Sequence, residues 1–270
     1  MPEGDTIHRA AALLRPALHR RQLLRFEAPR LVGDRPRAAE TIEGVEAVGK
    51  HLLVHFSGGL TLETHLRMTG SWHLYRTGER WRKPPYLMRC LIAVADHQAV
   101  CFSAPVVRTF PTARRGTRQD PTAHLGPDLC LPTSDADEVV AACVARMDPL
   151  DPRLPIGEVL LDQRVGNGIG NVYKSEVCWH CGVDPFAPLG TVAGEERTRL
   201  IANAGRLLRA NLGPGRRRTV AEGLAVYGRR GRPCRRCGTA IRRNTEGELA
   251  RVTFWCPTCQ PSRRVQASGT

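Results

Sequence analysis

Four of the ten cysteines have a spacing that chemistry can use. Cys234-Arg-Arg-Cys237 and Cys256-Pro-Thr-Cys259 are two C-x-x-C pairs separated by eighteen residues. Each pair can set two thiolates on one side of a tight knuckle, and two knuckles complete the tetrahedron of sulfurs that a structural Zn²⁺ prefers. The alternatives are four buried thiols or two disulfides, and the arginine and polar neighbours of each pair are poor company for apolar burial. A segment this basic has little core of its own, so one bound Zn²⁺ would supply much of its folding energy. Four thiolates leave no position for water, and the site is expected to be structural rather than catalytic. Cys178-Trp-His-Cys181 has the same spacing but no second pair nearby, which favours packing, and Cys90, Cys101, Cys130 and Cys143 read as core or surface thiols.

The second pattern is Gly166-Asn167-Gly168-Ile169-Gly170, followed by Asn171. Its spacing is G-x-G-x-G rather than the dinucleotide-binding G-x-G-x-x-G, and Leu160-Leu161-Asp162-Gln163 before it belongs more naturally to a helix than to a strand. A tight turn between two helices is the better reading. Such a turn exposes backbone N–H groups and the Asn171 amide at a helix start, an anion site that in a basic protein would hold a DNA phosphate.

The charge fits that partner. The formal net charge is +14, and only Lys50, Lys83 and Lys174 among the forty basic residues are lysines. That skew shows a compositional drift toward arginine as well as a need for a polyanion, so the distribution says more than the total. From Arg216 to Arg243 there are ten arginines against one acid, Glu222. No run approaches the eighteen or so apolar residues of a membrane span. The first thirty residues, with Glu3, Asp5 and Arg9 among them, lack the apolar core of a signal peptide. A cytosolic protein without membrane attachment is expected, in a reducing compartment where paired cysteines bind metal rather than each other.

The elements that position these groups divide the chain in two. Asp5 to Leu18 has helical spacing with Asp5 or Thr6 as cap, so the first four residues are expected to precede the helix. From Leu23 to about Phe110 the pieces are short and strand-like: Leu52 to Phe56, Leu60 to His65, Tyr86 to Val94, Ala99 to Ser103. Gly58-Gly59 and Asp96-His97 mark hairpin turns. Asp135 to Met147, a segment opened by Pro155, Asn171 to about His180, and Gly194 to Leu212 read as helices, with Asn171 as a cap. The expected domains are 1–115, a β-sandwich; 116–134, a linker; 135–225, helical; 226–262, the zinc finger; and 263–270, a loose tail.

Together, Pro2-Glu3-Gly4, Gly49-Lys50 before a strand, the stretch from Leu161 to Tyr173, and Tyr227-Gly228-Arg229 leading into the knuckles resemble the formamidopyrimidine-DNA glycosylase and endonuclease VIII family from Pro2 to Gln260. The resemblance implies a two-domain α+β fold: an N-terminal β-sandwich with a flanking helix, and a C-terminal helix-two-turn-helix domain with a zinc finger whose hairpin enters DNA. It implies a nucleophile at Pro2, an acid/base at Glu3, an essential lysine at Lys50 and a phosphate-gripping amide at Asn171. Arg251, five residues before the third finger cysteine, matches the finger arginine, and Met68 in His65-Leu66-Arg67-Met68-Thr69-Gly70 matches the residue that fills the gap left by an everted nucleotide. Asp5 and Thr6 depart from the family's second proline and acid. Ala104-Pro105-Val106-Val107-Arg108 matches its arginine-bearing loop only weakly.

The implied reaction suits these residue types. Removal of Met1 before the small Pro2 leaves a secondary amine, and α-amino groups titrate near ~8 against ~10.4 for lysine, so its lone pair is available at neutral pH. Attack at the sugar C1′ expels the base and leaves an imine. The imine then acts as an electron sink for elimination of the 3′ phosphate and, in a second step, of the 5′ side. The expected activity is therefore that of a DNA glycosylase and AP lyase for oxidised bases, working by β- or β,δ-elimination on damaged duplex DNA. The chain is expected to act as a monomer in the cytoplasm, at the nucleoid if the host is bacterial. Two other classes compete: a non-enzymatic zinc protein that recognises damaged or distorted DNA, and a zinc-dependent nuclease, which the closed four-thiolate site disfavours.

Overall fold

A computed structural model describes residues 2–131, 135–245 and 251–263, and the chain divides into two compact units, 1–124 and 125–270. No helix among the described residues is long and apolar enough to cross a membrane.

In the first unit, helix α1 (Gly4–Leu18) buries Ile7, Ala11, Leu14 and Leu18 on one face. Its cap is Glu3, not Asp5 or Thr6. The Glu3 N–H donates to Thr6 Oγ1 at 3.4 Å in a capping box, so Thr6 serves the helix from its third position. Gly4 therefore opens the helix instead of preceding it, and Glu3 and Asp5 are each only 1% exposed.

Eight strands follow: β1 (Arg25–Glu27), β2 (Ile42–Val48), β3 (His51–Phe56), β4 (Leu60–His65), β5 (Ser71–Arg76), β6 (Met88–Ala93), β7 (His97–Phe102) and β8 (Val106–Pro111). Among the described residues they form two antiparallel four-stranded sheets, ordered β2-β3-β4-β8 and β1-β6-β7-β5. Gly58-Gly59 turns β3 into β4, as its sequence suggests. Tyr86 lies outside the strand it was expected to begin, in a short 3-10 turn (Pro85–Leu87), because Pro84 and Pro85 lack the N–H groups a strand ladder needs. The faces of α1 and both sheets share one core built from Leu14, Leu18, Leu52, Val54, Leu62 and Ile92. The other face of β5, β6 and β7 carries a small second cluster of Tyr75, Leu91, Val100 and Phe102.

In the second unit, α2 (Ala136–Ala145), the one-turn α3 (Ile156–Val159), α4 (Asn171–Cys181) and α5 (Gly194–Ala210) surround a core that includes Met147, Ile169, Tyr173, Val177 and Leu208. Strands β9 (Arg242–Asn244) and β10 (Thr253–Trp255) form the finger hairpin. Residues 132–134 of the expected linker, the hairpin segment 246–250 and residues 264–270 of the expected tail lie outside the described residues.

Candidate active site and nucleic-acid interface

The start of α1 and Lys50 lie at one end of the sandwich. Near the helix's end the Arg20 N–H donates to Ile42 O at 2.8 Å, and Arg15 Nε donates to Val45 O at 2.9 Å, so the helix runs antiparallel to β2. From Arg15 back to Glu3 the helix covers about 18 Å at about 1.5 Å per residue. From Val45 the strand runs about 10 Å to Val48 at about 3.3 Å per residue, and Gly49 and Lys50 then turn the chain back into β3. Both therefore run toward the same end. Pro2 and Lys50 are partly exposed there, while Glu3 is buried.

Met68 belongs to the same end. Lys50 precedes His51, which pairs with His65 on β4, and His65 pairs with Val106 on β8. From His65 the chain turns through Leu66 to Gly70, closed by Gly70 N–H donating to Leu66 O at 2.9 Å. A Cβ on Gly70 would approach the Leu66 backbone to 2.7 Å, so only glycine fits. Arg67 sits in the left-handed region at φ 44°, and the turn presents Met68 with 65% of its surface exposed.

Behind these residues lies a polar network that the alternation of β4 hides. Glu63 is fully buried, accepts Arg108 Nε at 2.5 Å and Nη2 at 3.1 Å, and bonds His51 Nδ1 at 2.7 Å. Burial pushes its carboxyl up, but His51 and Arg108 more than offset this and hold it below the usual range. Arg108 is thereby held in the sheet as the partner of Glu63. Burial, then the charges of His51, Lys50 and Arg67, lowers His65 to about 4, so it is neutral at physiological pH. The His51 and His65 rings meet edge to face with centroids 4.8 Å apart. The alternation Leu60-Thr61-Leu62-Glu63 reads Glu63 as one more residue of a polar face, so only the structure shows that it is buried and, being a buried carboxylate, partnered.

In the second unit the glycine-rich turn is stitched by Gln163. Its Nε2 donates to Leu161 O at 2.9 Å and Ile169 O at 3.1 Å, while its Oε1 accepts the Gly168 N–H at 3.1 Å. Gly168 at φ 103° takes a conformation that side chains disfavour. Gly170, rather than Asn171, is the cap of α4, and Asn171 is its first residue, with a buried Oδ1 that has no hydrogen-bond partner among the described residues. The helical ladder begins with Lys174 N–H to Gly170 O at 2.8 Å, so the amides before it point out of the helix start.

Helix α4 also anchors the finger through three consecutive buried polar residues that the sequence reading passes over. Lys174 Nζ donates to Thr253 Oγ1 at 2.6 Å and Val252 O at 3.2 Å, and Ser175 Oγ accepts the Phe254 N–H at 3.2 Å. Glu176 accepts the N–H groups of Ala225, Val226 and Tyr227 at 2.7 to 2.9 Å, and the Thr219 hydroxyl as well. Arg251, which is exposed, adjoins Val252, and Asn171 stands one turn before Lys174, so this helix links the two.

Cys234, Cys237, Cys256 and Cys259 form a cluster able to coordinate a metal ion, with all four sulfurs within 4.8 Å of one another. Individual separations of 3.4, 3.5 and 3.9 Å bracket the edge of about 3.8 Å that a tetrahedron with Zn–S near 2.3 Å requires. Burial would raise the Cys234 thiol, but the Arg236 N–H and the Trp179 indole, at 3.3 Å, hold it below its usual range. Hydrogen bonding to Thr239 holds Cys237 down to about 6. Cys178 is buried within α4 and Cys181 lies at its end near Asn203, apart from the four-sulfur cluster.

Comparison with known proteins gives the class. Residues 1–112 match the formamidopyrimidine-DNA glycosylase N-terminal domain, 125–220 its H2TH domain, and 231–261 the zinc finger found in FPG and IleRS. The chain belongs to the formamidopyrimidine-DNA glycosylase and endonuclease VIII family and is a bifunctional DNA glycosylase and AP lyase of base excision repair. Among its relatives are a probable endonuclease 8 2 of Streptomyces coelicolor, 43% identical over 100% of this chain and 97% of that protein, and the DNA-(apurinic or apyrimidinic site) lyase Nei2 of Mycolicibacterium smegmatis, 38% identical over 96% and 99%. A formamidopyrimidine-DNA glycosylase of Moorella thermoacetica is 34% identical over 90% and 93%. The structure of the Lactococcus lactis glycosylase bound non-covalently to AP-site DNA shares the fold, with a TM-score of 0.81 over 97% of this chain and all of that one at 21% identity.

Proposed function

We propose that Pro2 is the nucleophile, Glu3 the acid/base and Lys50 the cation of the reacting centre, acting on oxidised bases in duplex DNA. The observation that carries this reading is that the start of α1, Lys50 and the Met68 turn all lie toward one end of the sandwich. The Pro2 amine, freed by removal of Met1, forms the bond to C1′ as the bond to the base breaks. Opening of the sugar leaves an iminium whose C=N accepts the electrons of the C2′–H bond, and the 3′ phosphate departs with the C–O pair. Glu3 moves the protons at the ring oxygen and C2′, and Lys50 neutralises the phosphate nearby. Hydrolysis returns the amine.

The nucleotide must leave the stack before C1′ is reachable, and Met68 is long and adaptable enough to occupy the gap. Asn171 and Arg251 grip phosphates. The four cysteines would hold one structural Zn²⁺, which when bound supplies folding energy to the finger. The chain acts as a monomer at DNA in the cytoplasm.

The test is borohydride trapping on duplexes and single strands carrying 8-oxoguanine, formamidopyrimidines, oxidised pyrimidines or an abasic site. A covalent adduct with at least one of these is expected. Binding without an adduct on any of them, by protein with a confirmed Pro2 terminus, would instead support a non-enzymatic damage-recognition protein.

A further inference from the structure

We propose that Tyr86 is a second base-contacting side chain beside Met68, stacking on a base that borders the gap left by the everted nucleotide. The inference rests on the reading of Met68 given above and extends it to a residue outside that site. At 76% exposure Tyr86 is the most exposed of the large hydrophobic side chains among the described residues, ahead of Val32 at 69% and Met68 at 65%. An aromatic ring that open to water calls for a partner more than an exposed leucine does.

Its position is fixed to that of Met68 through one residue. Ser103 donates its N–H to Leu87 O at 2.8 Å, and its own carbonyl accepts Thr69 Oγ1 at 3.2 Å. Leu87 adjoins Tyr86 and Thr69 adjoins Met68, so the two exposed side chains flank a single hydrogen-bonded bridge. Ser103 has φ 53°, and Arg67 beside Met68 has φ 44°. A left-handed non-glycine residue in the bridge and another beside Met68 are the kind of strain that collects at ligand-handling sites.

The strap carrying Tyr86 is rigid and basic. The Trp81 indole donates to Gln98 Oε1 at 3.2 Å and packs edge to face on Phe102, and Lys83 Nζ donates to Ser71 Oγ at 2.8 Å. Pro84 and Pro85 then fix the backbone, and Arg89 Nη1 closes on Tyr86 O at 3.0 Å. Arg80 and Arg82 stand exposed on the strap, where they suit the phosphates of a strand whose base meets the ring. The ring is therefore held out with little freedom to lose, which suits stacking on a nucleobase.

The experiment compares wild type, Tyr86→Ala and Tyr86→Phe on one lesion, placed either in a fully paired duplex or in an unpaired bubble where the cost of opening is already met. A parallel measurement is binding to a duplex with a tetrahydrofuran site against the undamaged duplex, which needs no chemistry. Tyr86→Ala is expected to excise from the paired duplex about tenfold more slowly and to lose about tenfold of the preference for the tetrahydrofuran duplex, given the usual strength of base–aromatic stacking. It should match wild type in the bubble, and Tyr86→Phe should match wild type throughout. Equal excision and preference by Tyr86→Ala and wild type, an equal loss on paired and bubble substrates, or a Phe variant as impaired as Ala would each overturn the proposal. Failure of wild type to form an adduct would count against Pro2, while the binding comparison would still decide the role of Tyr86.

Discussion

The two units handle buried polar groups in opposite ways. In the sandwich, Glu63 sits behind the candidate site and closes on His51 and Arg108, so its charges are satisfied inside one sheet. In the helical unit, Lys174, Ser175 and Glu176 reach out of α4 to hold the finger and the segment leading into it. The first arrangement stiffens a surface, and the second fixes where a small basic appendage stands. Under the proposed roles, chemistry needs the sandwich in the correct form and grip on DNA needs the finger in the correct place. Variants in the two units should fail differently.

The largest expected effect is at the reacting end. Glu3→Gln should slow excision by about 10²- to 10⁴-fold, the usual range for a lost acid/base, with DNA binding nearly unchanged. A matching loss of affinity in a binding titration would show instead that the residue matters as the cap of α1. Next is Glu176→Ala, which leaves three N–H groups and a hydroxyl buried without an acceptor. A loss of about 3 to 5 kcal/mol in unfolding free energy is expected, with looser metal retention by the finger. Unchanged stability and metal content would break the distinction between the units.

The sandwich also carries a pH signature. His65 is held to about 4 when folded, against about 6.5 unfolded, so between these values the unfolded chain binds the proton first. Stability associated with this residue is fully present above about pH 6.5 and is lost as pH falls toward 4, by up to about 3 kcal/mol. His65→Asn should flatten that part of the curve in denaturant titrations, and an unaltered slope would contradict the assignment. Smallest is Arg251→Ala, expected to weaken DNA binding by about tenfold and to reduce the steepness of its salt dependence by about one contact. Equal affinity and salt slope would take the finger arginine out of the interface.

Much of this is legible in the sequence because the signals are local. The C-x-x-C pairs announce a four-thiol cluster, Gly58-Gly59 marks a hairpin, and the glycines before Asn171 mark the turn into a helix. The errors of one to three positions at Glu3 and Gly170 arise where a cap depends on which backbone groups point outward, a property of the folded ends. The networks of Glu63 and of Lys174 to Glu176 are the larger omission. Their partners lie 12 to 79 residues away in the chain, so periodicity reports only a polar residue and not what it meets. Tyr86 was hidden for a related reason: its run of apolar neighbours reads as a strand, and Pro84-Pro85 removes it from the ladder.

Peptide mapping of the borohydride-reduced complex on an abasic duplex tests whether the secondary amine of Pro2 makes the bond to DNA. The reduced sugar is expected on the N-terminal peptide, on the nitrogen of Pro2. An adduct found on Lys50, Lys83 or Lys174 with the Pro2 peptide unmodified would contradict it.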